Sequence, residues 1–327
     1  MQYTVYDAKS AVHSNSPDPP VSNATIASNQ TEKGIINMKN LLKQIGKALA
    51  YFAIYLVASN VVSAIVSIIL GIVKGAEYRA ISTDRDAYMA AFQADFASMT
   101  GVCLLFGAIL TLLTYFIIEK IKKTNLAKET DIKMVSAKQL ILTVTGALGG
   151  MFFMNFIMSF LPIPKELIGE LSSGMGKLTS YPFWLAILAN AILVPIMEEI
   201  VFRGYIFSRL SKAMPAVVAA LISSVVFGIC HGGLLWAVWA FAFGMIICAI
   251  RIKSGSILPG MIFHIIMNTF AMVVSYYPVL ANMTSGVMLA LTIGGGIILA
   301  GSVIAILLDK GSTSAKNKAE VVISSKA

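Results

Sequence analysis

The chain is poor in charge. Asp, Glu, Lys and Arg together make up 13% of its 327 residues. Soluble domains carry roughly a quarter, so a water-soluble globular protein is excluded. Cysteine is scarce too, with three in all: Cys103, Cys230 and Cys248. An odd set, dispersed through apolar runs, argues against a disulfide framework and fits small buried hydrophobes. No charged n-region precedes an apolar h-region, so no cleaved signal peptide is expected. Histidine is equally rare, at three residues, so each can be traced individually.

What remains is apolar. Hydrophobic residues are 57% of the chain and the mean hydropathy is +0.80, which points to an all-α, polytopic membrane protein. Residues 1–37, rich in Ser, Asn, Pro and Thr, read as a disordered cytoplasmic tail. Asn23 and Asn29 head Asn-x-Thr triplets there, which matter only on an outside tail. About eight transmembrane helices follow, near 47–73, 99–118, 139–161, 183–212, 216–231, 234–250, 258–277 and 285–308. The membrane domain is 38–310, and 311–327 form a second cytoplasmic tail. The fifth and sixth segments are short, and Gly232-Gly233 between them marks a tight connection or a re-entrant turn. With both termini in the cytoplasm, 20 of the 25 Lys and Arg fall on the inner side. Only Lys74, Arg79, Arg85, Lys165 and Lys177 fall outside, as the positive-inside rule requires. Topology therefore explains the net charge of +9, and no nucleic-acid partner is expected. Glycines in the third and last segments allow close helix approach.

Against that background, Pro195-Ile-Met-Glu-Glu-Ile-Val-Phe-Arg203 stands out. Ionised groups are costly in a low-dielectric interior unless they are paired or used. Glu199 and Arg203 are i and i+4 and can pair on one helix face, whereas Glu198 points about 100° away. We read Glu199–Arg203 as a structural pair and Glu198 as the working acid or base. Pro195 can kink the helix at that place. His231 and His264 both lie in apolar segments. Glu198 and His231 lie about 16 residues either side of the turn at Ala213-Met214-Pro215, or roughly 24 Å along each helix. The two therefore reach a similar depth. His264 lies at a comparable height above Ser254–Gly255. Phe227 and His231 share one helix face, as do His264 and Asn268.

A carboxylate, two imidazoles and a carboxamide in a hydrated pocket suit hydrolysis. A Glu–His pair can take a proton from water, while His and Asn can donate to an oxyanion. The same Glu198, His231 and His264 could instead hold Zn²⁺ and activate water on it. The chain has no His-Glu-x-x-His, no Asp deep in a span and no Gly-x-Ser-Gly. Cys230 is a weak alternative nucleophile, since neighbours on a helix diverge.

Glu198-Glu199-x-x-x-Arg203, Phe227-x-x-x-His231 and His264-x-x-x-Asn268 resemble the three motifs of the CPBP family. These are the CAAX-processing and bacteriocin-processing intramembrane proteases, also called Abi. The motifs lie within 180–277. The resemblance implies a multi-pass protease of the cell membrane that cuts a peptide bond near the bilayer surface. Glu198 and His231 would activate water, His264 and Asn268 would stabilise the oxyanion, and Glu199, Arg203 and Phe227 would support them. It implies a membrane-associated substrate, a prenylated protein or a pheromone or bacteriocin precursor, and leaves metal-dependent and metal-free hydrolysis both open. The competing readings are a non-catalytic bacteriocin-immunity protein and a proton-coupled transporter.

Overall fold

The computed structural model describes residues 37–277 and 282–309. The expected tails, with His13, Asn23 and Asn29, lie outside the described residues apart from Asn37, the last residue of the first tail. Among the described residues there are helices and no strands, and the chain is an all-α polytopic membrane protein. Seven helices are long and apolar enough to cross a membrane. In order they are α1 (Met38–Val73), α2 (Thr100–Ile121), α3 (Ala137–Ile157), α5 (Phe183–Leu210), α7 (Leu234–Ser254), α8 (Leu258–Tyr276) and α9 (Ser285–Leu308). Two shorter ones complete the set used below: α4 (Lys165–Leu178) and α6 (Ala216–Ile229). The eight expected segments are thus seven spans plus the 14-residue α6; of the two expected to be short, the sixth is a full span of 21 residues, because the helix runs on through Arg251 and Lys253 to Ser254.

The periphery is as apolar as the interior, as a lipid solvent demands. Ile65, Ile68, Ile69, Ile72 and Val73 of α1 are all more than half exposed. The centre is α5, the most buried of the spans. Val201, Phe202 and Tyr205 along it are at most 1% exposed. Where apolar surface gives no preference for protein over lipid, close backbone approach supplies the attraction. α3 and α9 use it: a Cβ added at Gly295 would fall 2.5 Å from the carbonyl oxygen of Gly149.

Two connections fix the site. α5 turns into α6 at Ala213–Pro215, where Met214 N–H still bonds to Leu210 O and Pro215 opens the next helix. α6 then stops after about 21 Å. The chain reverses through Cys230–Gly233, with Gly232 at φ +77°, a backbone region that a side chain would disfavour. α4, which the hydropathy pattern does not single out, is amphipathic and packs beside this reversal. A Cβ at its Gly174 would press into the Trp236 ring at 2.5 Å.

Candidate active site

α5 is not a uniform α-helix. Ile187–Leu193 and Ile200–Phe207 are π-helical and bracket an α turn, Val194–Glu199. In the first π segment Val194 N–H donates to Ala189 O, five residues back. The next donor in that register would serve Asn190 O, but residue 195 is proline and has no N–H. Asn268 of α8 fills the gap, its Nδ2 donating to Asn190 O at 2.9 Å. The Asn190 side chain in turn donates to Tyr181 Oη at 2.5 Å. The expected kink at Pro195 thus takes the form of a widened turn, stitched to α8 by a carboxamide. Such π segments recur at functional sites.

The next turn carries the charges. Glu199 and Arg203 are both 0% exposed and pair as their spacing predicts, Arg203 Nη1 donating to Glu199 Oε1 at 2.9 Å. The same oxygen accepts from His264 Nδ1 at 3.0 Å. Two glycines make room for the pair. A Cβ at Gly244 would meet Arg203 Nη2 at 2.9 Å, and one at Gly260 would meet Glu199 Oε2 at 3.3 Å. The guanidinium also lies 4.4 Å from the centroid of the Phe227 ring, a favourable cation–π placement.

Glu198 faces elsewhere, again as the rotation predicts. It is 8% exposed and its Oε2 lies 3.7 Å from His264 Nε2. His264 therefore stands between the two adjacent carboxylates of α5, one at each ring nitrogen. His231 sits two residues past the end of α6, with Nδ1 2.8 Å from Phe227 O. A carbonyl can only accept, so Nδ1 carries the hydrogen and Nε2 presents its lone pair. Phe227 is fully buried and stands edge-on to both imidazoles, with centroids 4.5 Å from His231 and 5.8 Å from His264. The spacing at 227 and 231 thus works through the backbone carbonyl as well as the ring.

These side chains line neighbouring cavities. A cavity of about 370 Å³ is walled by Glu198, His231, Asn268, Asn190, Cys230 and Tyr55. A second of about 350 Å³ shares His231 and Asn268 with it and adds His264 and Phe227. Met175 of α4 lines both, and a third cavity of about 620 Å³ runs from His231 and Trp236 beneath α4 to Glu170 and Lys177. α4 is therefore the roof of the site.

A zinc ion would need Glu198, His231 and His264 to converge on one point. Glu199 holds His264 Nδ1 and leaves Nε2 free, but among the described residues no three His, Cys, Asp or Glu side chains are grouped to hold one ion. As they are arranged, these donors do not fit a metal.

Sequence reasoning missed Asn190, Tyr55 and the roof helix. A signal for Asn190 existed: an amide in an apolar span, five residues before a proline. α4 carried one as well, the helical period of its apolar residues; Tyr55 carries none that a single sequence reveals.

Residues 180–270 match the family model described as "Type II CAAX prenyl endopeptidase Rce1-like". The chain is 36% identical over 95 residues to "Putative membrane peptidase YdiL" of Bacillus subtilis (strain 168), which is 29% of this chain and 39% of that protein. It is 29% identical over 120 residues to "UPF0177 protein YxdF" of Lactococcus lactis subsp. lactis (strain IL1403), which is 36% of this chain and 66% of the relative. The match thus covers about two fifths of the first relative and just under two thirds of the second. No solved structure matches the chain.

Proposed function

We propose, for a chain that belongs to the CPBP family through its residues 180–270, that it is an intramembrane endopeptidase of the CAAX-processing type. The substrate is a membrane-associated peptide or protein. The observation that carries this reading is the shared cavity. Glu198, His231 and Asn268 wall one space of about 370 Å³, with His264 Nε2 3.7 Å from Glu198.

The chemistry follows from the free atoms. A water in that cavity meets two acceptors, the Glu198 carboxylate and His231 Nε2. One of them takes a proton as the water oxygen attacks the scissile carbonyl carbon. The carbonyl π electrons move to oxygen, and the resulting oxyanion needs donors. Asn268 uses one amide hydrogen on Asn190 O, and the second makes no hydrogen bond to the described residues. His264, steered by Glu199, offers Nε2 beside Glu198 as the other site for a proton. Collapse of the intermediate expels the amine, which leaves with the proton first taken from water. Glu199 and Arg203 act here through His264 and do not touch substrate.

The test is proteolysis in reconstituted vesicles containing a membrane-anchored peptide library, read by mass spectrometry. Wild-type protein cuts a subset of peptides. Glu198→Gln inserts and folds normally but loses cleavage by about 10²–10⁴-fold, the usual worth of a general base. Cleavage by Glu198→Gln at the wild-type rate would remove Glu198 from the mechanism.

A further inference from the structure

The inference concerns the end of the bundle where the α5–α6 turn meets the start of α1, away from the Glu198 cavity, and it does not depend on the protease reading. Asn40 Nδ2 of α1 donates to the backbone carbonyl of Lys212 at 3.0 Å, so the turn is pinned against the first turns of α1. Lys43 and Lys47 are i and i+4 on α1, with Tyr51 one turn further on the same face. Around the Tyr51 ring stand two more cations, Lys122 Nζ at 4.8 Å and the Arg209 guanidinium at 5.7 Å. Lys47 is within electrostatic reach of Lys43, Lys122, Arg209 and Lys212. Five cations thus converge from three elements.

Too few anions answer them. Glu119 is buried and already accepts from Tyr51 and Tyr205, each at 3.1 Å, from Lys122 at 3.1 Å and from Thr124. Glu129 pairs with Arg209. Asp131 is taken by Arg251 at 2.7 Å and by Lys133. Lys43, Lys47 and Lys212 have no carboxylate partner among the described residues, and all three are exposed. Partial desolvation and the neighbouring Arg209 push the Lys212 ammonium below the ordinary lysine value, outweighing the opposite pull of Asp131.

We propose that Lys43, Lys47 and Lys212 form a binding site for the phosphodiester headgroup of an anionic phospholipid, with Lys122 and Arg209 as its inner wall. A phosphate brings diffuse negative charge and several acceptor oxygens, which three ammonium groups can share. The lysines flank spanning helices, the place where polybasic clusters meet anionic headgroups.

The experiment is native mass spectrometry of the full chain released from nanodiscs holding equal amounts of phosphatidylglycerol and phosphatidylcholine. Wild-type protein retains phosphatidylglycerol selectively. Lys43→Gln/Lys47→Gln/Lys212→Gln loses that selectivity by more than about tenfold, from roughly fivefold per lysine near an anionic surface. The matched variant Lys120→Gln/Lys123→Gln/Lys128→Gln, with the same loss of charge at the end of α2 and in the connection after it, keeps it. Equal loss in both triple variants would mean that bulk charge alone recruits the lipid, and would overturn the proposal, as would retention in both. Inorganic phosphate titrated into the same samples separates the sources. No displacement supports a lipid site, and stoichiometric displacement overturns the choice of lipid. Single Lys→Gln variants at the three positions repeat the measurement should the triple variant insert poorly.

Discussion

Truncating Glu199 or Arg203 should be among the most destabilising changes in the membrane domain, and the geometry says how the two differ. Both side chains are 0% exposed and joined at 2.9 Å. Arg203 Nε and Nη2 already lack protein partners. Glu199→Ala therefore strands a guanidinium whose last anion is gone, and removes the acceptor of His264 Nδ1 as well. Removing one partner of a buried pair costs about 3–5 kcal/mol, a large share of the roughly 5–15 kcal/mol that holds a folded protein together. Arg203→Ala leaves Glu199 still bonded to His264 and belongs at the lower end of that range. Glu199→Leu/Arg203→Met removes both charges and should cost less than either truncation alone, because no unpaired ion remains. The assay is reversible unfolding in mixed micelles, followed by labelling of the buried thiols Cys103 and Cys248. A Glu199→Ala effect within about 0.5 kcal/mol, the range of an ordinary surface change, would refute the reasoning. So would a double variant as damaged as the two singles added together. Normal stability with lost proteolysis would leave the pair acting through His264 alone, with no part in holding the fold.

Three further outcomes are expected. Asn268→Ala should cost about 1–3 kcal/mol by orphaning the Asn190 carbonyl; Pro195→Ala in that background should recover part of it by supplying the missing N–H, measured in the same unfolding assay. Gly260→Val should lower both stability and insertion yield, since a Cβ there already falls 2.8 Å from Ile247 Cγ2 and 3.3 Å from Glu199 Oε2. Burial alone would raise Asp131, but Lys133 and Arg251 outweigh it and hold the carboxyl below its ordinary value. Its contribution is therefore complete above about pH 4, the unfolded value, and lost as pH falls through the lower folded one. Asp131→Asn should flatten that part of the stability–pH curve.

Much of the site was legible because it is local. The i, i+4 spacing of Glu199 and Arg203 forces the pair, and a carboxylate one residue earlier must point elsewhere. Phe227 and His231 meet for the same reason. The break at Gly232-Gly233 was readable from two glycines between short apolar runs. The misses are contacts between helices that no spacing within one helix encodes. His264 and Asn268 share a face, yet one reaches Glu199 and the other the Asn190 carbonyl, because the wide turn of α5 presents those acceptors there. The buried Glu119 was passed over because it sits at a predicted span end, where a carboxylate ordinarily meets water. Tyr51 and Tyr205 donate to it instead. The roof α4 was passed over because its polar face dilutes its hydropathy.

The two π segments also bear on how the length of α5 can change. A π turn holds one more residue than the α turn it replaces, so a helix can gain or shed a residue there without swinging what lies beyond. Val194–Glu199 has such an expansion joint on either side. Insertions and deletions among relatives should gather in those joints. The six residues between them, which aim one carboxylate at the cavity and its neighbour at arginine, should keep a constant count.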